Sequence, residues 1–372
     1  MRFLIISHAA HKLEQSNLFS YAPYVREMNL WLKHVDEVEV IAPEVAGKPN
    51  SIEIAYKHEN VEYSVVTAIQ FTSVLHLLKS IIKLPLIIFK LFRSCAKADH
   101  IHLRCPGNMG LLGCFIQVFF PNKIKTAKYA GNWDPKARQP LSYRLQKWIL
   151  SNTLLTKNMQ VLVYGDWENQ SKNIKPFFTA TYRNSEIETI EKRDYNTLLK
   201  FVFVGSLVVG KRPLLAIQII EALKQKGFDV SLEVFGDGVL RDELIQYISK
   251  KNLERIININ GNQTKEVVKE ALKTAHFSIL PSKSEGWPKA IAEAMFFGCI
   301  PVVTEISCVP YMLDYGKRGI LMTPNLEDAI IELMKGLGNN EHLRSKSEAA
   351  LKWSQQYTLD LFENEIIKLL NR

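Results

Sequence analysis

Two glutamates, Glu285 and Glu293, stand eight residues apart in the segment Ser278–Met295 (SILPSKSEGWPKAIAEAM). A carboxylate accepts hydrogen bonds on both oxygens and suits vicinal hydroxyls, such as those of a sugar or a ribose. The apolar run 277–280 reads as a buried strand that ends in a polar loop. Gly286 there permits close backbone approach, and Pro288 takes the first-turn position of a helix over 288–297. Such a loop aims the free N–H groups of a helix N-terminus at a phosphate or at sugar hydroxyls. Ile291, Ala294 and Met295 have the spacing of a core stripe and turn Glu293 away from it, while alanines at 290, 292 and 294 allow close packing. The same spacing also allows a plainer reading, with Lys289 and Glu293 as a surface ion pair and Glu285 as a loop charge.

A second segment, Phe201–Pro213 (FVFVGSLVVGKRP), runs from a β-branched strand through Gly205 to Lys211 and Arg212 at a helix start. Cations are electrostatically misplaced at that end of a helix, and a bound diphosphate would explain them. A solvated basic helix start is the bland alternative.

These loops need a frame, and short apolar runs alternate with helical patterns along the whole chain, as in βαβ units. Strands are expected near 2–7, 37–42, 61–66, 100–105, 125–130 and 160–165, with helices over 22–33, 74–94, 108–119 and 140–152. Residues 183–198 turn polar and read as a linker. Strands at 200–204, 230–235, 256–259, 277–280 and 300–303 then alternate with helices. Two doubly wound α/β halves result, and ligands of such sheets bind at strand carboxyl ends.

With Phe235-Gly-Asp-Gly238 between the two segments and Gly298-Cys-Ile-Pro-Val-Val303 after them, residues 198–323 resemble family 4 of the GT-B glycosyltransferases (glycosyl transferases group 1). That family is marked by a glutamate, seven residues and a second glutamate. Over 1–182 the resemblance is architectural. It implies a GT-B fold of two Rossmann-like domains facing across a cleft. Residues 1–184, joined by the C-terminal helix 358–372, would bind the acceptor, and 185–357 the nucleotide sugar. The implied activity is sugar transfer from a nucleoside-diphosphate sugar to a glycan or lipid-linked acceptor, with retention of configuration. Surface polysaccharide or glycoconjugate biosynthesis is the implied setting, with no cofactor or metal; the chain has no D-x-D motif.

Position by position, the resemblance gives Lys211 the donor diphosphate, with Arg212 beside it and Gly205 leaving backbone room. Glu285 would accept hydroxyls of the transferred sugar, and Glu293 those of the ribose. Gly286, Trp287, Pro288 and Lys289 would offer their backbone to the sugar or phosphate. Many members carry arginine where this chain has Ser206. The loop His8–Tyr21 lacks the family's Gly-Gly pair and offers His8, His11 and Asn17 without an assigned role. The family's first-domain histidine would fall near Tyr129–Asp134, where Asn132 and Asp134 are the acceptor-side candidates.

Composition sets further bounds. Hydrophobic residues make up 47% of 372, enough for two cores, and the five cysteines lack a C-x-x-C pair, as expected of buried thiols in a reducing compartment. The opening MRFLIISHAAHK has too short an apolar run for a signal peptide and reads as a strand. The net charge of +9 is uneven, for residues 71–150 hold thirteen Lys/Arg against Asp99 and Asp134. Within 74–97, Lys79, Lys83, Lys90, Arg93 and Lys97 fall in a stripe of about 80° on a helix. That stripe is either the solvated edge of a sheet-packing helix kinked at Pro85, or a contact to anionic lipid. The expected location is cytoplasmic, peripheral on the inner face of the membrane if the lipid reading holds. No nucleic-acid motif appears. Three other functions compete: a GT-B sugar-nucleotide epimerase, a non-catalytic glycan- or anionic-surface-binding protein, and a dinucleotide oxidoreductase. The last would rest on Gly107-Asn-Met-Gly-Leu-Leu-Gly113, whose spacing is not that of the dinucleotide fingerprint.

Overall fold

The structure, a computed structural model, describes residues 1–50, 52–67 and 74–372, with only the backbone of 74–81. It divides into two compact units, Met1–Phe178 with Phe362–Arg372, and Thr179–Leu361.

In the first unit the elements are β1 (Arg2–Ile6), β2 (Lys12–Glu14), β3 (Asn17–Tyr21), α1 (Ala22–Leu32), β4 (Glu37–Pro43), β5 (Glu53–Ala55), β6 (Val61–Val66), α2 (Val74–Lys97), β7 (His100–Cys105), α3 (Asn108–Ile116), β8 (Ile124–Tyr129), α4 (Leu141–Ser151), β9 (Met159–Tyr164) and β10 (Ile174–Phe177). Seven strands form a parallel sheet in the order β10-β9-β8-β7-β1-β4-β6. β2, β3 and β5 make a small antiparallel sheet, which alternation of apolar runs did not reveal. The chain steps outward from β1 to β6, and α2 then returns it to β7 beside β1. Right-handed crossovers therefore put α1 on one face and α2, α3 and α4 on the other.

Strand β7 (HIHLRC) is buried on both faces, one apolar and one carrying two imidazoles. Ile101, Leu103 and Cys105 join the core under α2–α4 with Ile87, Leu91 and Ile149. His100 and His102 face the other way, both within hydrogen-bond reach of Thr126 Oγ1 (2.8 and 2.9 Å), and the His102 ring lies 4.9 Å from Trp31. The glycines that open α3 serve packing. A Cβ at Gly110 would lie 2.8 Å from the Arg104 carbonyl oxygen, and one at Gly113 2.7 Å from Leu103. That need accounts for their spacing without a dinucleotide.

The second unit holds β11 (Leu199–Val204), α5 (Pro213–Gln225), β12 (Val230–Phe235), α6 (Arg241–Lys250), β13 (Ile257–Gly261), α7 (Lys265–Thr274), β14 (Phe277–Leu280), α8 (Lys289–Phe296), β15 (Ile300–Thr304), α9 (Val309–Met312), β16 (Ile320–Met322), α10 (Leu326–Leu337) and α11 (Asn340–Ser354). The last helix, α12 (Leu359–Leu370), starts there and continues into the first unit. The second sheet is parallel throughout, in the order β13-β12-β11-β14-β15-β16. Pro288 is the N-cap of α8, one residue before the helix instead of inside its first turn.

The polar stretch 183–198 is not a free linker. The Arg193 guanidinium donates to the carbonyls of Leu272, Ala275 and Phe297, where α7 and α8 end. A cation at two helix C-termini is well placed against both dipoles, which straps the segment onto the second unit.

All five cysteines are buried free thiols. Burial lowers the basicity of three imidazoles in the first unit: His11 to about 4, His100 to about 3, and His102 well below its ordinary value. An unfolded chain takes up protons on these groups below about pH 6.5 while the folded one does not. Stability should thus be complete above that pH and fall as pH drops towards 4, by up to about 1.4 kcal/mol per pH unit for each imidazole. Urea midpoints at pH 7 and pH 5 check this, and equal values would contradict it.

Candidate functional site

The carboxyl ends of β11 and β12 meet backbone to backbone. Gly236 sits at φ 136°, where a Cβ would lie 1.9 Å from the Gly205 carbonyl oxygen, and a Cβ at Gly238 would lie 2.5 Å from that of Leu207. Gly205 N donates to Phe235 O and Leu207 N to Asp237 O, both at 2.9 Å. These contacts fix the loop after β11, with Ser206 exposed on it. Gly205 itself is under no such pressure, since an added Cβ would meet the Phe203 ring at 3.6 Å and Leu280 at 3.8 Å, both ordinary contacts.

That loop delivers two cations. Lys211 N donates to Val208 O (2.9 Å), closing a turn, and Arg212 takes a left-handed conformation as the N-cap of α5 ahead of Pro213. The loop after β14 is tied alongside by Lys283 N donating to Gly210 O at 2.8 Å. Lys211 Nζ then lies 2.5 Å from Glu285 Oε1, with the lysine side chain 29% exposed and the glutamate 9%. The anion that the charge at this helix start calls for is therefore supplied, in the free protein, by Glu285. Removing either partner of so enclosed a pair leaves the other poorly solvated. Next to it, the Cys308 thiol, pushed up to about 12 by burial, donates to Gly286 O at 2.9 Å and holds the loop at that glycine.

Glu293 faces elsewhere on the same unit. Its Oε1 accepts a 2.6 Å hydrogen bond from Thr181 Oγ1. It lines a shallow open recess with Thr181, Tyr182, Trp287, Lys289, Trp353 and Tyr357. The buried Trp287 ring stacks on Trp353 at 6.0 Å. The Lys211–Glu285 pair is not part of that wall. Sequence reasoning missed Thr181, and nothing in its type or spacing marks it.

In the first unit, the side chains of Asn132 and Asp134 serve their own loop. Asn132 Oδ1 accepts from Asp134 N and Asp134 Oδ1 from Lys136 N, both at 2.8 Å. His11 is a buried structural group, bonded to Tyr56 OH (2.9 Å) and Ala9 O (2.8 Å) and neutral near pH 7. Asn17 pairs with Glu14 in the small sheet, and the His8 ring lies where a Cβ on Gly107 would fall. Arg104, at the end of β7, pairs with the buried Glu27 at 3.4 Å and lies over the Tyr24 ring. An arginine in an otherwise buried strand was a signal that sequence reasoning passed over. Among the described residues no cluster of His, Cys, Asp and Glu could hold a metal ion.

Residues 185–353 match the family of glycosyl transferases group 1. A capsular polysaccharide biosynthesis glycosyltransferase of Staphylococcus aureus, CapH, is 32% identical over 128 residues, 34% of this chain and 36% of its own. An N-acetylgalactosamine-N,N'-diacetylbacillosaminyl-diphospho-undecaprenol 4-alpha-N-acetylgalactosaminyltransferase of Campylobacter jejuni is 28% identical over 150 residues, 39% of each chain. The chain spans less than half the length of the curated relatives it matches first. Anabaena HepE, solved in complex with UDP, superposes with a TM-score of 0.69 at 15% identity, covering 100% of this chain and 99% of its own. The fold is thus that of the GT-B glycosyltransferases.

The glycine contacts set up a paired test. Gly236→Ala should lose about 3 kcal/mol or more, because it forces both a positive φ and a collision with a carbonyl. Gly205→Ala should stay within about 0.5 kcal/mol. Urea unfolding of both variants checks the contrast, and equal losses would contradict it.

Proposed function

We propose that this chain, whose residues 185–353 form a group 1 glycosyl transferase domain, moves a sugar from a nucleoside-diphosphate sugar to a glycan or lipid-linked acceptor. The anomeric configuration is retained, as in family 4, and the product is a surface polysaccharide or glycoconjugate. The observation that carries the reading is the Lys211–Glu285 pair, an ammonium and a carboxylate 2.5 Å apart at the carboxyl ends of two neighbouring parallel strands. A diphosphate suits the first group and sugar hydroxyls suit the second. The names of the relatives point the same way, one to capsular polysaccharide, one to an undecaprenol-linked acceptor, and HepE to bound UDP.

On this reading the diphosphate takes Lys211, with Arg212 close by in the chain, while Ser206 adds no charge. The N–H groups of Gly286, Trp287 and Lys289 lead into the N-terminus of α8 and offer further donors to the departing phosphate, while Pro288 has none to give. Glu285, released from Lys211, accepts hydroxyls of the transferred sugar. Glu293 exchanges the Thr181 hydroxyl for the hydroxyls of the ribose. Gly205 leaves space for the nucleotide that the protein's own packing does not require. Asn132 and Asp134 remain the acceptor-side candidates, at the carboxyl end of β8 in the other unit.

Transfer from a diphosphate needs charge stabilised on the leaving oxygens, and one preorganised donor is worth roughly 3–4 kcal/mol. Lys211→Ala should lower turnover at least about a hundredfold. Near wild-type turnover in a folded variant would remove Lys211 from the mechanism. A melting panel of nucleoside diphosphates and their sugars should single out one base by a rise in melting temperature. Glu293→Gln should reduce that rise, and a panel without any shift would overturn the donor assignment. NMR of fresh product reads the anomeric outcome.

A further inference from the structure

The helices α2, α3 and α4 share one face of the first unit's sheet, with Leu91, Cys114 and Leu150 turned inward. Their outer side is apolar as well. Phe89 on α2 is 63% exposed, Phe119 just after α3 68%, and Trp148 on α4 60%. Ile82 and Leu86 on α2 and Leu141 on α4 are exposed as well. The Phe92 ring lies 6.0 Å from Phe119 and 4.9 Å from Phe120, which makes the α2 and α3 ends one continuous surface.

Charge on this layer has a single sign. The three helices contain no aspartate or glutamate, and Lys83, Arg93, Lys97 and Arg144 are exposed on them. Lys79, the first member of the basic stripe, lies outside the described side chains. The field is also narrower than the count over 71–150 implies. Lys125 and Lys128 are buried in β8, bonded to carbonyl oxygens, and Arg104 is paired with Glu27.

We propose that this helical face docks on an anionic lipid bilayer. A water-facing surface of this extent ordinarily mixes both signs of charge and breaks up its aromatic residues. Exposed aromatic side chains beside long cations suit the boundary between headgroups and acyl chains, where rings insert and the cations reach lipid phosphates. A second copy of the chain would fit the apolar residues but set like charges opposite each other. No helix among the described residues is long and apolar enough to cross a membrane, so the contact is one of lying on the surface. The inference stands apart from the donor reading, since none of its residues belongs to the second unit.

The test is co-sedimentation of the whole chain with phosphatidylcholine vesicles, alone or carrying about one-third phosphatidylglycerol. Retention should need the anionic lipid, weaken with salt, and shift Trp148 emission to the blue. Each exposed cation removed should lower partitioning about fivefold. The triple variant Lys83→Glu, Arg93→Glu, Arg144→Glu should lower it more than about a hundredfold. Phe89→Ser with Trp148→Ser should weaken retention at unchanged charge. All five positions are exposed, so melting temperatures should hold and serve as the folding control. The proposal is overturned if anionic vesicles at low salt leave the protein in solution, or if the charge variant binds as well as the parent. It is also overturned if light scattering shows a dimer that the Phe89/Trp148 variant dissolves, which would assign the face to a second copy.

Discussion

Where β11 and β12 end, a carbonyl oxygen of one loop lies against the Cα of a glycine in the other, with no room for a side chain between them. The hydrogen bonds of Gly205 and Leu207 to the β12 loop repeat the contact twice in three residues. From there the chain has only a short turn to make before α5, and that turn brings Lys211 to Glu285. The site is therefore held by backbone before any charge acts. Ser206 is exposed on this loop and its backbone carbonyl accepts from Val208 N, so a change of side chain there need not move Lys211.

The first unit solves a different problem. Its sheet carries polar side chains in the interior, and each has a local acceptor or donor: the imidazoles of β7 share Thr126, and the ammonium groups of β8 reach carbonyl oxygens. Burial keeps these histidines neutral at ordinary pH and lowers Lys125 to about 8. Basic residues in one stretch of chain thus split into two populations, some spent inside the sheet and others turned outward on helices. A count of charges along the sequence merges the two.

Much of the frame was legible because buried parallel strands are continuous apolar runs. β1, β4, β6 to β9 and β11 to β15 stand close to where those runs fall. The antiparallel sheet of β2, β3 and β5 was not, since strands of three to five mixed residues carry no periodic signal. β10 contains Lys175 and Pro176, and β16 is three residues long, so both were passed over. In the site, Lys211 and Glu285 were each legible as chemistry, but not their pairing across 74 residues, which only the order β11–β14 brings about. Thr181 was invisible because its meaning lies wholly in what it touches. Arg193 looked like part of a linker for the same reason.

The ion pair at Lys211 and Glu285 has a bearing on how selectively such a site would be entered. Both groups are satisfied before anything arrives, so a newcomer must divorce them and provide for each. A free sugar can attend to the carboxylate but strands the ammonium; inorganic phosphate does the reverse. Only a molecule that joins both functions at the right separation replaces the pair without leaving a charge alone in a half-enclosed place. On the proposed reading, the resting contact would favour the intact conjugate over its fragments, each of which satisfies one partner and leaves the other to solvent.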